Sequence, residues 1–420
     1  MNTKYIPFQP NNPVFKTIFR GRANELKRID ELLLQTKNEN PTNILLVGER
    51  GIGKTSLLLV ANFFAKGEIN WEDIKHNFIT AQLTIDHKTT IIDLAKKIDN
   101  CIEREVNRIT PGLDFLKKTW AFISKFEAAG FKFKEDNKGL NTSEIIDNLS
   151  LSIADTVKAL TSPTAISDIG ITKQIDGIVI LIDEADNASK ELELGVFVKN
   201  LSEILIKEKA NKVLLILSGL PNLRTILHDS HPSSLRLFEE FELKPLTDQE
   251  IKDVIKQGIS EYNEKNKPAQ LLTINDDALN AIAYYSEGYP HFVQQIGASV
   301  LLINDDDVIT FDDVAKGVLG KGGAIDLIGD RYYKDLYYNK INVDSYRQIL
   351  DIMAQKWNDW ISREEIRKSF KGKDSTLRNG LKALLDRHII LPKPGTRGQY
   401  RLQWMSFAYW IKSFAESNAK

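Results

Sequence analysis

Apolar and polar positions change period along the chain, and each change marks a different architecture. Between about residues 18 and 245, short unbroken apolar runs alternate with longer amphipathic ones. NILLV (43–47), bounded by Pro41 and Gly48, predicts a strand buried on both faces. TSLLLVANFFA (55–65) follows at once as a helix, FITAQLTI (78–85) as the next strand and IDLAKKIDNCIEREV (92–106) as an amphipathic helix. GIVILI (177–182) and VLLIL (213–217) predict further buried strands, separated by a helical pattern over about 191–208, and FEEFELKPL (238–246) a last, shorter one. Strands alternating with helices predict a doubly wound parallel α/β layer. Residues of about 107–170 break the alternation: FLKKTWAFISKFEAAGFKFKEDNKG is aromatic and basic, then polar. This insertion is either a surface elaboration packed on the domain or an arm that contacts a partner or DNA.

From about 247 to 330 the pattern is helical throughout. Thr247 begins a helix with Glu250 as the capping-box partner. DDALNAIAYYSE (276–287) is a second helix ended by Gly288 and Pro290, PHFVQQIGASVLLIN a third, and Thr310 opens a fourth. Beyond 331 the reading is three helices (345–357, 362–370, 374–387) and then HIILPKPGTRGQYRLQ (388–403), two strand runs around a Pro/Gly turn. The first 17 or so residues read as a polar lead. The expected domains are therefore 18–246, 247–330 and 331–420.

Of 420 residues, 42% are hydrophobic and 27% charged, enough apolar material for packed cores and too much for wholesale disorder. The single cysteine, Cys101, excludes an intramolecular disulfide framework and reads as a packing residue in an amphipathic helix. The N-terminus lacks a basic-then-apolar leader, and IVILI (178–182) is far short of the roughly 18 residues that a membrane span needs, so a cytoplasmic protein with no membrane contact is expected. The net charge of −1 hides an asymmetry. Residues 331–420 carry 18 Lys and Arg against 9 Asp and Glu; the rest of the chain carries 38 against 48. A basic tail on an acidic body is an electrostatic footprint for nucleic acid.

One motif brings chemistry. Gly48-Glu49-Arg50-Gly51-Ile52-Gly53-Lys54-Thr55, followed by Ser56, matches G-x-x-x-x-G-K-[ST] in full, between a buried strand and a helix. Backbone N–H groups have to curl around a phosphate there, and the glycines leave room for it. The positive end of the following helix faces the anion. Lys54 supplies a point charge to the β- and γ-phosphates, and the Thr55 hydroxyl is a hard ligand for Mg²⁺. GIVILIDEAD then places Asp183 and Glu184 at the end of a buried strand. Asp183 suits holding Mg²⁺, and Glu184, pointing the other way, suits orienting the attacking water.

Together these residues resemble the AAA+ superfamily, in particular its origin-recognition/initiator-like and STAND-like ATPases. Four further stretches carry the resemblance. FRGRANELKRIDELL (19–33), with Arg22, is similar to the segment that lies beside the adenine. LSGLPNL (217–223) is similar to a sensor-1 strand, with Ser218 at the polar position. SSLRLFEEFELKPLTDQE (233–250) places Arg236 where an arginine finger reaches a neighbouring subunit, although a solvated surface arginine fits there as well. SEGYPHFVQQIG (286–297) is similar to the helical-lid segment, with His291 where many relatives carry a sensor-2 arginine. That departure implies slow hydrolysis.

The resemblance implies a P-loop, AAA+-like α/β fold with a helical lid, binding ATP and Mg²⁺ in the cleft between them and forming a homo-oligomer when ATP is bound. The C-terminal pattern resembles a winged helix. Ser375, Thr376, Arg378, Asn379 and Lys382 would lie on its recognition helix, and Lys393, Arg397 and Arg401 near phosphates at its wing. Trp357, Trp360, Trp404 and Trp410 read as core residues of this small domain. Two functions remain open: a DNA-associated ATPase switch, and a STAND-like signalling or defence regulator whose winged helix meets protein. His228, Asp229 and His231 lack zinc spacing, Asp305–Asp307 lacks the rest of a calcium loop, and no Ser-His-Asp or Cys-His set is legible.

Overall fold

Five of the apolar runs pair as parallel strands: β1 (Asn43–Val47), β2 (Phe78–Thr84), β3 (Gly177–Asp183), β4 (Val213–Gly219) and β5 (Phe238–Glu242). Their order across the sheet is β2-β3-β4-β1-β5. The computed structural model describes residues 4–13, 21–70, 74–109, 114–124, 142–165, 173–357 and 359–415. Strands β3 and β4 are buried along their whole length, which is why they read as unbroken apolar runs. β5, at one edge of the sheet, carries Glu239, Glu240 and Glu242. Arg28 bridges to Glu239 at 2.7 Å, and Arg224 pairs with Glu240 and, at 3.3 Å, Glu242. Charges along an open edge discourage pairing with another strand.

Helices α1 (Ala23–Lys37), α2 (Lys54–Lys66), α3 (Ile91–Ile109), α4 (Asp114–Thr119), α5 (Thr142–Thr161), α6 (Leu194–Lys207) and α7 (Leu223–Ser230) accompany the sheet in a unit spanning Gly21–Lys244. The expected insertion is more than a surface elaboration where it is described. α5 buries Ile145, Ile146, Leu149, Ile153, Val157 and Leu160 in the main core, and Trp120 donates its indole N–H to Thr156 at 3.1 Å. Residues 110–113, 125–141 and 166–170 of that expectation lie outside the described residues.

Pro245–Lys420 and the N-terminal residues form the second unit. It holds α8 (Asp248–Asn266), α9 (Asp276–Ser286), α10 (Pro290–Ile303), α11 (Phe311–Leu319) and α12, which begins at Ala324–Ile328 and continues through π-helical turns to Lys340. Capping boxes at Thr247 and Thr310 start α8 and α11 as their sequences predict. This region is not wholly helical: β6 (Thr273–Ile274) and β7 (Val308–Ile309) pair in parallel. The polar lead is also not a free lead. Phe8 is buried, and the space it fills lies against Gly258 of α8 and Gly297 of α10, where an added Cβ would come within 2.3 and 2.8 Å of the ring. Tyr5 donates its hydroxyl to Glu261 at 2.6 Å, and the Gln9 N–H donates to the Gln294 side chain at 2.9 Å.

The last stretch holds α13 (Asp344–Ala354), β8 (Ile361–Ser362), α14 (Arg363–Ser369), α15 (Asp374–Asp386), β9 (Ile390–Pro392), β10 (Gln399–Leu402) and α16 (Met405–Ser413). The three strands form an antiparallel sheet in the order β8-β10-β9. Trp410 is buried, while Trp357, Trp360 and Trp404 are half-buried. Trp404 lies 6.0 Å from Tyr333, and Trp357 meets Tyr409 edge-on at 5.2 Å.

Candidate functional site

The C-terminal ends of β1, β3 and β4 lie side by side in the sheet, and the candidate residues cluster there. β1 runs into the turn 48–53, held to the neighbouring strand by the Gly48 N–H donating to the Gly219 carbonyl at 3.3 Å. An added Cβ at Gly48 would stand 2.8 Å from Ile52 and 3.2 Å from Leu243, so the close approach demands glycine. Gly51 and Gly53 adopt φ of 80° and 97°, conformations that side chains resist. Ile52 is buried and pins the turn from inside. Gly53 then caps α2, whose first residue is Lys54.

Lys54 folds back over the turn and donates to the carbonyls of Gly48 at 2.8 Å and Glu49 at 2.9 Å. Burial pushes its ammonium below the ordinary lysine value, more than the carboxylates of Asp186, Asp183 and Glu49 raise it. Thr55 donates its hydroxyl to Asp183 Oδ2 at 2.7 Å, across 128 residues of sequence. The other oxygen of Asp183 accepts the Glu184 N–H at 2.9 Å, so the carboxylate is fixed from both sides. Glu184 is exposed, sits at φ 53° and accepts from Asn187 Nδ2 at 3.3 Å.

Ser218 is fully buried, and its hydroxyl makes no hydrogen bond among the described residues. It pairs in register with Leu46, two residues before the turn. Arg22 reaches the same turn: its guanidinium donates to the Ile52 carbonyl at 3.3 Å and to the Lys244 carbonyl, and it pairs with Glu25 at 3.5 Å. Glu49 and Arg50 lie within the turn, Arg50 exposed, and Ser56 is the third residue of α2.

Arg236 stands apart. It is exposed on a 3₁₀ turn (Ser234–Leu237), and its side chain makes no ion pair or hydrogen bond among the described residues. His291 belongs to the other unit, as the second residue of α10, edge-on to Tyr332 at 4.9 Å. Asp186 was missed by sequence reasoning. Its carboxylate accepts the Leu220 N–H at 3.0 Å, tying the end of β3 to the end of β4, and it is the foremost carboxylate acting on Lys54. Its signal was present in GIVILIDEAD, three residues past Asp183.

On α15, Leu377, Leu381 and Leu384 turn inward, while Ser375, Arg378, Asn379 and Lys382 are exposed and Thr376 is half-buried. Arg397 is exposed and Lys393 half-buried. Arg401, on β10, lies over the Trp360 ring at 5.0 Å. Among the described residues no group of three or more His, Cys, Asp or Glu is placed to hold a metal, and no helix is long and apolar enough to cross a membrane.

No protein-family model matches the chain. An uncharacterized HTH-type transcriptional regulator of Methanocaldococcus jannaschii is 27% identical over 126 residues, 24% of this chain; the match spans only 31% of that protein's length. Among solved structures, the ORC2 protein of Aeropyrum pernix, in its ADPNP-ADP complexes, matches 94% of this chain and 93% of its own with 12% identity and a TM-score of 0.56. The ADP form of the same protein gives 13% identity, the same coverages and a TM-score of 0.49. The first of these likenesses shows the fold: the chain shares the α/β architecture with helical additions of that ORC2 structure.

Proposed function

We propose that the chain is an ATP-binding, ATP-hydrolysing switch of the AAA+ kind that contacts duplex DNA through its C-terminal domain. The observation that carries this reading is the closed set at the first turn: Lys54 held on the Gly48 and Glu49 carbonyls, and Thr55 bonded to Asp183. Lys54 is held on two carbonyls of its own loop, and an anion beside it would offset the burial that lowers its basicity. Thr55 and Asp183 offer oxygen donors only, the donor set that Mg²⁺ takes, so these residues fit the ion. When bound, Mg²⁺ supplies charge neutralisation on the phosphates.

The chain's own residues would divide the remaining work. The backbone N–H groups of the turn and the start of α2 cradle the phosphates, and Lys54 neutralises them. Asp183 holds the Thr55 hydroxyl in place. Glu184, exposed and one residue on, orients a water for attack and takes its proton. Ser218, with a buried hydroxyl at the end of β4, would donate to a phosphate oxygen. Arg22, on the turn's far side, would steady it toward the adenine. Arg236 would complete the site of a second copy in an ATP-bound homo-oligomer, and His291 would take the sensor-2 role that the resemblance implies. Separation of 247–330 as lid and 331–420 as winged helix belongs to this proposal, as do base and phosphate contacts from Ser375, Thr376, Arg378, Asn379, Lys382, Lys393, Arg397 and Arg401. The likeness to the ORC2 protein in its ADPNP-ADP complexes and to an HTH-type transcriptional regulator supports it.

The test is a steady-state ATPase assay with and without duplex DNA. Stimulation by DNA alone, with affinity falling as salt rises, is expected. E184Q should retain ATP binding and lose about 100-fold or more in turnover. Stimulation by a protein partner and not by DNA would favour the regulator reading, and normal turnover in E184Q would remove Glu184 from its role.

A further inference from the structure

The turn between α9 and α10 holds a carboxylate that the proposed chemistry does not use. Glu287 ends α9 at φ 51°, a left-handed position where glycine or asparagine is the usual choice. A glutamate kept there costs backbone strain, so its side chain needs a use. Its carboxylate reaches 118 and 119 residues along the chain. It accepts the N–H groups of Met405 at 2.8 Å and Ser406 at 3.0 Å, and the Ser406 hydroxyl at 3.1 Å.

Met405 and Ser406 are the first two residues of α16, whose own N-cap, Trp404, supplies no side-chain acceptor. Glu287 thus caps a helix from another part of the fold, with a negative charge at the positive end of the helix dipole. Ser406 Oγ also shares a hydrogen bond of 2.7 Å with the fully buried Tyr333 hydroxyl on the long α12 helix. Burial pushes the Glu287 carboxyl above its ordinary value, against the pull of these donors and of Arg401.

The same turn is bound at its other side. The Leu246 N–H donates to the Gly288 carbonyl at 2.8 Å. Gly288 adopts φ 79°, and an added Cβ would stand 2.7 Å from the Leu246 carbonyl. Leu246 is the second residue after the chain leaves the α/β unit at Lys244. The turn therefore joins the start of the helical unit to its last helix, and His291 follows Glu287 by four residues.

We propose that Glu287 is a latch: a positioning residue that makes the α9–α10 turn and the C-terminal helix α16 move as one body, so that displacement of the turn is delivered to the C-terminal domain. The part concerning DNA rests on the function proposed above; the latch itself does not.

Hydrogen exchange on the full chain separates the two. Without nucleotide, E287A should speed exchange of the Met405 and Ser406 amides by about tenfold or more and leave α8 and α11 at wild-type rates. E287G, which also relieves the left-handed backbone, should do the same. Wild-type exchange at Met405 and Ser406 in both variants would overturn the latch. With ATP and Mg²⁺ added, the wild type should change exchange at both the turn and α16, and E287A at the turn only. In DNA titrations E287A should bind nucleotide normally and lose the nucleotide-dependent change in DNA affinity. A wild type with no nucleotide response anywhere would sink the ATPase reading and leave the latch to the nucleotide-free arm.

Discussion

Two polar networks in this molecule do comparable jobs and are written in the sequence very differently. At the first turn, eight consecutive residues from Gly48 to Thr55 supply the shape and most of the chemistry, and Arg22, Asp183 and Asp186 join them from elsewhere in the sequence. At the α9–α10 turn, the participants are Leu246, Glu287, Gly288, Tyr333, Met405 and Ser406, and no two regions of sequence hint at one another. A turn that grips a small anion needs its backbone N–H groups contiguous, so its residues are contiguous too. A junction that couples helices can recruit its donors from anywhere the packing brings together. The first kind of network is legible as a motif; the second exists only in three dimensions.

The largest effect that sharpens this contrast lies in the helical unit. Phe8 is 4% exposed and packs where Gly258 and Gly297 leave room for it. F8A should cost about 3 kcal/mol in chemical denaturation, a core-sized loss from a segment that reads as a polar lead. A loss under a few tenths would return residues 4–9 to the status of a loose tail.

A smaller effect lies in the α/β unit and has a definite pH signature. Burial, with Glu103 four residues on, raises the Asp99 carboxyl to about 6. A raised folded value means that the folded chain holds this proton more tightly than the unfolded one. Stability from this group therefore falls as pH rises from about 4 to 6 and stays lower at 7. D99N should stabilise the protein at pH 7 by about 1 kcal/mol, after discounting for the part of Asp99 that faces water, and should give no gain at pH 4. An equal gain at both values would refute the assignment to this carboxyl.

How much could be read beforehand follows the same division. The parallel sheet was legible because NILLV, GIVILI and VLLIL have no polar residue inside them, which only strands covered on both faces tolerate. The helix starts at Thr247 and Thr310 were legible because a capping box is local. The β6–β7 pair was not, since two residues per strand carry no periodicity. α5 escaped because its flanks are aromatic and polar, and only its packing on α6 and β3 shows that it belongs to the core. Arg401 read as a surface charge because nothing in QYRLQ announces the Trp360 ring beneath it. Asp186 was overlooked beside the more familiar Asp183 and Glu184, although its backbone anchor at Leu220 sets the neighbourhood of Lys54.

The central claim is that the turn after β1 grips a nucleoside triphosphate through Lys54. Titration calorimetry of the intact protein with ATP, in Mg²⁺ and again in EDTA, tests it most directly. Saturable heat is expected in Mg²⁺, weaker binding in EDTA, and none in folded K54A. Absence of heat for the folded wild type with ATP, or a K54A curve that overlays the wild type, would contradict it.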